Sequence, residues 1–287
     1  MPELPEVEIV KQSLEKRVIN KSINSVLIKN KNLRYKIQDN FIAKIRKKKI
    51  LKVLRRSKYL ILEFEKEQFL LIHFGMSGTL HLINKKKNNS KTNLSFYNSQ
   101  ILPKKHNHVI LKLQNFKLVY NDPRRFGFFK YFSSKENIEN YLDKLGIEPL
   151  DKRFNFFFLK RIMLNKSKNI KNFLLDQKYI AGIGNIYANE ILYLSKINPQ
   201  KKTYNLKDNE IKNLIKFSKR VLRIAIKKGG SSIRNFVNTK GKTGLFQNEF
   251  KVYDRETKYC LRKLCKGKIK RFFLSNRSTF VCSYCQK

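Results

Sequence analysis

Apolar residues at Leu4, Val7, Val10, Leu14 and Val18 recur at helical spacing, and Pro5 stands where a first-turn proline belongs. The chain is therefore expected to open with an amphipathic helix. From there to residue 132 the period shortens to that of strands. Leu60–Phe64, Phe69–Ile72, His108–Leu113, Lys117–Tyr120 and Phe128–Phe132 are short apolar or alternating runs. Several such strands with turns between them predict a β-sandwich. The polar run Asn84–Asn93 reads as a loop inserted between strands, and residues 133–153 as a connector. The helical period returns from about 154 to 228. It marks Phe154–Asn165, Ile170–Gln177, Asn185–Leu194 and a longer segment from about Asp208 to Lys228, stopped by Gly229-Gly230. Residues 231–250 form a loop rich in Gly, Asn and Lys, and there is no fixed-period repeat.

Composition adds a partner class. The chain has 287 residues with 64 Lys and Arg against 21 Asp and Glu, a net charge of +43. A hydrophobic content of 41%, including 22 Phe and 13 Tyr, argues against wholesale disorder. Such a charge points to a polyanion, most plausibly nucleic acid. The abundance of Asn and Lys together also fits a biased genome, which lowers the weight of the magnitude but not of the sign. No stretch approaches the ~20 apolar residues of a membrane span, and acids rather than a basic region open the chain, unlike a signal peptide. A cytoplasmic, reducing compartment is expected.

All four cysteines lie near the end, as Cys260-x4-Cys265, sixteen residues, then Cys282-x2-Cys285. Two close pairs around a hairpin-sized insert suit one tetrahedral Zn²⁺ held by four thiolates. The insert carries Ile269, Phe272, Phe273 and Phe280, enough for two short strands. His73, His81, His106 and His108 are far upstream, so the site is expected to be all-Cys, closed and structural. Two disulfides, or four unrelated thiols, are the weaker alternative in a reducing compartment.

The first residues, Met1-Pro2-Glu3-Leu4-Pro5-Glu6-Val7, carry candidate chemistry. With Met1 removed the chain begins with a secondary amine, which can attack a carbonyl-like carbon and form an iminium. An α-amino group titrates near roughly 7.7–8.0, and the positive end of the following helix disfavours its ammonium form further. Glu3 is placed to shuttle the accompanying proton. The plain alternative is two prolines that merely start a helix.

Four internal stretches add to this. Arg55-Arg56-Ser57-Lys58-Tyr59 precedes a strand. His73-Phe74-Gly75-Met76-Ser77-Gly78 is a tight loop presenting Met76. Asn121-Asp122-Pro123-Arg124-Arg125-Phe126-Gly127 is a turn carrying two guanidiniums and an aromatic, the chemistry needed to enter a base stack. Ala181-Gly182-Ile183-Gly184-Asn185-Ile186-Tyr187 is a glycine turn opening a helix, a place where backbone N–H groups can meet phosphate. Each alone has an ordinary structural reading.

Together, PELPEVE, SKYL at Ser57–Leu60, HFGMSG, DPRRFG, GIGNIYANE and the terminal NRSTFVC-x2-CQ resemble the formamidopyrimidine-DNA glycosylases, in order and over nearly the whole length. The resemblance implies an α+β multidomain fold. An N-terminal helix and β-sandwich would occupy 1–135, a connector 136–153, a helix-two-turn-helix domain with a lesion-recognition loop 154–248, and a zinc hairpin 249–287. It implies a base-excision repair enzyme acting as a monomer on double-stranded DNA with oxidised purines, chiefly 8-oxoguanine and formamidopyrimidines, and then cleaving the abasic strand. By position, Pro2 would be the nucleophile, Glu3 the proton donor and Glu6 its support. Lys58 would contact phosphate and assist β-elimination, and Arg277 would hold a phosphate for δ-elimination. His73, His106, Arg124 and Asn185 match DNA-backbone contacts. Lys166 matches another, with Lys168 as its rival. Met76, Arg124 and Phe126 would fill the gap left by the everted nucleotide. The C-x4-C spacing departs from the family pattern and leaves the ligand set intact. Two other readings stay open: an endonuclease VIII-type enzyme for oxidised pyrimidines, and a non-catalytic zinc DNA-binding protein.

Overall fold

The computed structural model describes residues 2–84, 104–231 and 245–287. The polar insert beyond Asn84 and residues 232–244 of the Gly/Asn/Lys-rich loop lie outside them. The chain forms two compact units, Met1–Asp143 with Lys228–Gln247, and Lys144–Lys227 with Asn248–Lys287.

The first unit begins with helix α1 (Leu4–Val18), and the five apolar residues of its stripe are all buried. The strands are β1 (Ser25–Ile28), β2 (Ile50–Arg56), β3 (Tyr59–Phe64), β4 (Gln68–His73), β5 (Thr79–Asn84), β6 (Asn107–Lys112), β7 (Phe116–Asn121) and β8 (Phe128–Phe132), with a short helix α2 (Phe41–Ile45) between β1 and β2. They make two four-stranded sheets, β1-β6-β7-β5 and β2-β3-β4-β8, antiparallel throughout. One apolar core joins them: Val53, Leu62 and Leu70 of one sheet pack with Leu82, Leu111 and Leu118 of the other and with Val10 and Leu14 of α1. The expected sandwich is there. Helix α3 (Lys135–Leu142) lies inside the stretch read as a connector. Its Ile138 joins Ile61, Phe69, Leu71, Phe128 and Phe132 in a second cluster on the outer face of the β3–β4–β8 sheet. Both faces of β3 and β4 are thus covered, which is why their sequences run continuously apolar rather than alternating.

His81, in β5, is fully buried, with Nε2 2.6 Å from Thr79 Oγ1. Burial pulls its pKa from 6.5 down to about 3. The unfolded chain therefore binds a proton that the native state refuses between those values, so stability falls as pH drops through that window. Between pH 7 and 5 the loss from this residue is expected to be ~2 kcal/mol. Urea titrations of wild type and His81→Gln at both pH values check this; an equal pH dependence in the two proteins would refute it.

The second unit contains α4 (Phe156–Met163), α5 (Ile170–Leu175), α6 (Asn185–Ser195) and α7 (Asp208–Lys227), followed by β9 (Ile269–Leu274) and β10 (Arg277–Cys282). Asn155 and Asn169 cap α4 and α5 with their side-chain oxygens. Helix α7 buries one stripe, Ile211, Leu214, Val221, Leu222 and Ala225. Helix α6 is buried from Ile186 to Tyr193, including Asn189 and Glu190. A helix enclosed on all sides must satisfy its polar groups inside the protein, and these two do so on the terminal segment.

Candidate functional site

Glu3 caps α1. Its side chain and that of Glu6 form a reciprocal capping box, in which Glu3 N–H donates to Glu6 Oε2 at 2.8 Å. Both carboxylates are buried. The other oxygen of Glu6, Oε1, accepts from Ser231 N–H at 2.9 Å and Ser231 Oγ at 3.0 Å. Gly230 packs against that carboxylate at φ +80, with room for little beyond a hydrogen. Glu6 therefore ties the start of α1 to the segment leading into residues 232–244. A sequence reading could assign Glu6 a supporting role, but Ser231, 225 positions away, carried no signal of its own.

The β2–β3 hairpin turns on Ser57-Lys58, with Ser57 left-handed at φ 55. Arg55 holds this turn to α1: its Nε donates to Glu8 Oε2 at 2.7 Å and its guanidinium also donates to Ser57 C=O at 3.1 Å. Lys58 is buried. Across the register from Tyr59 sits His73. Burial, then the charges of Lys58 and Arg34, lower the His73 pKa to about 4. The imidazole is accordingly neutral near pH 7. Gly75 N–H donates to its Nδ1 at 3.2 Å, which leaves the proton on Nε2 as a hydrogen-bond donor.

The loops bearing Met76 and Arg124–Phe126 are clamped back to back. Gly75 has φ +59, and a Cβ there would fall 2.3 Å from the Phe126 carbonyl carbon. The clamp is Asp122, fully buried. It accepts from Ser77 Oγ through one carboxylate oxygen, and through the other from Gly127 N–H at 2.9 Å and Tyr120 O–H at 3.1 Å. Arg124 N–H donates to Ser77 Oγ at 3.1 Å. Asp122 N–H reaches the His106 carbonyl and the Asp122 carbonyl meets His108 Nε2. Met76 and Phe126 are left 41% and 42% exposed, unusual for large apolar side chains, and the Arg124 guanidinium lies 4.6 Å from the Phe126 ring centre. Asp122 stood in the DPRRFG motif without a role; its importance follows from burial among donors. Asp122→Ala is expected to cost several kcal/mol, at about 1–3 for each donor left unpaired. Asp122→Asn should cost less. Denaturant midpoints of the two variants check the order.

In the second unit, Arg277 opens β10 directly after Ser275-Asn276, both at positive φ. That is the two-residue type I′ turn, which Asn favours. Three side chains grip this strand. Lys171 Nζ, fully buried, donates to Ser278 C=O and Thr279 Oγ1, each at 2.8 Å. Asn185 Nδ2 donates to Ser278 C=O at 3.0 Å, and Phe280 N–H donates to Asn189 Oδ1 at 2.8 Å. Just upstream, Glu190 accepts from the N–H groups of Lys251, Val252 and Tyr253, and burial pushes its pKa up against their pull. Lys166 lies over the Tyr179 ring at 5.6 Å, and Lys168 is paired with Asp176 at 2.7 Å. The Gly182 N–H is committed to Gln177 Oε1 at 2.8 Å.

The four cysteine sulfurs lie within 4.8 Å of one another. Three of the separations are 3.9 Å (Cys260–Cys285), 3.7 Å (Cys265–Cys282) and 3.2 Å (Cys265–Cys285), none of them a disulfide. Thiolates at about 2.3 Å from a tetrahedral Zn²⁺ stand roughly 3.8 Å apart, so the cluster fits a metal ion. Tyr193 O–H lies 3.1 Å from Cys260 Sγ.

Residues 1–129 match the family model for the formamidopyrimidine-DNA glycosylase N-terminal domain, and residues 145–237 match that for its H2TH domain. A formamidopyrimidine-DNA glycosylase of Rickettsia bellii is 42% identical over 288 residues, covering 100% of both chains. A Lactococcus lactis FPG mutant in complex with Fapy-dG containing DNA superposes with a TM-score of 0.88 at 33% identity, again over 100% of both chains. The wild-type Lactococcus lactis FPG (MutM) with an oxidised-pyrimidine containing DNA gives 0.87 at 32%, over 100% of both chains. No helix among the described residues is long and apolar enough to cross a membrane. With both domain models matched, and a relative 42% identical from end to end, the chain belongs to the formamidopyrimidine-DNA glycosylase family.

Proposed function

We propose that this protein is a bifunctional DNA glycosylase and abasic-site lyase of base excision repair, which excises oxidised purines through the amine of Pro2. The observation that carries the reading is the N-terminal capping box. It fixes a proline beside a buried carboxylate at the positive end of α1, which binding alone does not require. After removal of Met1, the Pro2 nitrogen attacks the sugar C1′ and the damaged base leaves with a proton. Glu3 supplies a proton to open the sugar. The resulting iminium acidifies C2′–H, and loss of that proton expels the 3′ phosphate. A second elimination expels the 5′ phosphate, and water releases the sugar fragment from Pro2.

Glu6 supports Glu3 through the capping box. Lys58 contacts phosphate and assists the first elimination, and Arg277 holds a phosphate for the second. His73, donating through Nε2, binds the backbone with His106, Arg124 and Asn185, and Lys166 adds a further contact. Met76, Arg124 and Phe126 fill the vacated base stack; their exposure and the clamp beneath them suit that task. Cys260, Cys265, Cys282 and Cys285 hold one Zn²⁺, whose part is to order the hairpin bearing Arg277.

Borohydride trapping on a duplex with one 8-oxoguanine opposite cytosine tests this. The expected product is a covalent adduct at Pro2, located by mass spectrometry. Tight binding without an adduct would return the protein to the binding-module reading. An oxidised-pyrimidine enzyme is the second reading, because the wild-type Lactococcus lactis relative has been crystallised with such a lesion. Parallel cleavage of 8-oxoguanine and thymine-glycol duplexes separates the two.

A further inference from the structure

At the edge strand β8 the first unit has a cavity of about 310 Å³, lined from both faces of the strand. Its floor is apolar, formed by Phe41, Phe128 and Phe129, all buried. Its walls are Tyr35, Tyr131 and Tyr141, and the cations of its lining are Lys36 and Lys130. Lys130 Nζ lies 4.2 Å from the Tyr141 ring centre, while the Arg34 guanidinium, 5.8 Å from that of Tyr35, and Lys44 Nζ, 5.6 Å from that of Tyr131, stand over two of these rings without lining the cavity. Among the described residues no carboxylate lines the cavity. Tyr35 is 56% exposed and packs edge-on against Phe128 at 4.9 Å.

These features select one ligand chemistry. An apolar ligand would leave the cations without purpose, and a bare anion would not need aromatic walls. A planar base carrying a phosphate uses both, by stacking and by charge. The volume sits at the lower end of small-molecule sites, roughly 300–1,000 Å³, room for one nucleotide and not for a duplex.

The cavity also connects to the Arg124–Phe126 loop and to His73. Arg34 N–H donates to the Gly127 carbonyl at 3.1 Å, at the end of the Arg124–Phe126 loop. The rings of Tyr35, Phe128 and His73 follow one another at 4.9 and 5.2 Å. We infer that this cavity is a second nucleotide site, which takes one unstacked base and its phosphate from a single-stranded DNA segment flanking the repaired duplex. The inference rests on the DNA-binding reading above.

The test uses the full-length, zinc-loaded protein and a lesion-free oligothymidylate carrying one 5-iododeoxyuridine. Irradiation is expected to cross-link Tyr35, Tyr131 or Tyr141, as read by mass spectrometry. Tyr35→Ala and Lys130→Ala are each expected to weaken binding of the oligomer by on the order of tenfold. Excision of 8-oxoguanine from a duplex should stay within about twofold in both variants. Cross-links confined to Met76, Arg124 or Phe126, or unchanged affinity in both variants, would overturn the second site. Displacement of the oligomer by an equal concentration of thymidine monophosphate would assign the cavity to free nucleotides instead. Failure of the wild-type protein to excise any lesion would count against the glycosylase reading, and is thereby distinguishable from failure of the cavity proposal.

Discussion

Pro2→Gly protein, with its initiator methionine processed, is expected to bind an 8-oxoguanine duplex within a few-fold of wild type and to lose most base excision. The basic surface is untouched, so the electrostatic part of binding remains. What changes is the nucleophile. A glycine amine is primary, lacks the ring that fixes its direction, and frees the backbone at the position preceding the Glu3 cap. Glu3→Gln provides the complementary result. Glutamine keeps an oxygen to accept the Glu6 N–H, so the helix start survives, while the transferable proton is gone. Loss of general acid–base help costs typically 10²–10⁴-fold, and that range is expected for excision under single-turnover conditions. Unchanged excision in Pro2→Gly would remove the nucleophile assignment. Unchanged excision in Glu3→Gln would leave the nucleophile but reassign the proton donor.

The first helix, the sandwich and the four later helices were legible because their apolar residues repeat at a fixed period. The five-residue stripe of α1 is buried residue for residue as its spacing predicts. Three strands went unread for specific reasons. β1 (Ser25–Ile28) is a four-residue edge strand, β2 carries Lys52, Arg55 and Arg56 among its apolar residues, and β5 leads straight into the polar insert. Helix α3 was hidden by its own composition: only Ile138 is buried, so KENIENYL reads as polar linker. In the site, short motifs exposed the residues that lie close together in sequence, such as Glu3 with Glu6. They could not expose Ser231 on Glu6, Lys171 on Ser278 and Thr279, or Glu190 on residues 251–253. Those partners meet only once the chain has folded, and a buried lysine or glutamate looks in sequence like any surface one.

Removal of the metal under reducing conditions is expected to unfold the terminal hairpin while the sandwich stays folded. The hairpin has little interior of its own. Its cluster comprises Val252, Cys260, Ile269, Phe280 and Cys282 around Tyr193 of α6, and two of those members are thiols of the metal site. The grips from Lys171, Asn185 and Asn189 contribute about 0.5–1.5 kcal/mol net for each hydrogen bond. Ordering the backbone costs roughly 1–2 kcal/mol per residue, and the strands alone span Ile269 to Cys282. Structural zinc binding supplies an apparent ~10–16 kcal/mol near neutral pH, so a zinc ion held by the four thiolates would decide whether this segment is ordered. Hydrogen exchange should therefore show the amides of β9 and β10 becoming unprotected in the apoprotein, while those of β3 and β4 keep their protection. Cys282→Ala should act in the same direction without a chelator, since it removes both a ligand and a buried side chain. Because Arg277 begins β10, the apoprotein should also lose DNA affinity and, on the role proposed for Arg277, the second elimination. Protected hairpin amides after complete zinc loss would show that α6 alone holds the segment, and would leave the four thiolates without a structural task.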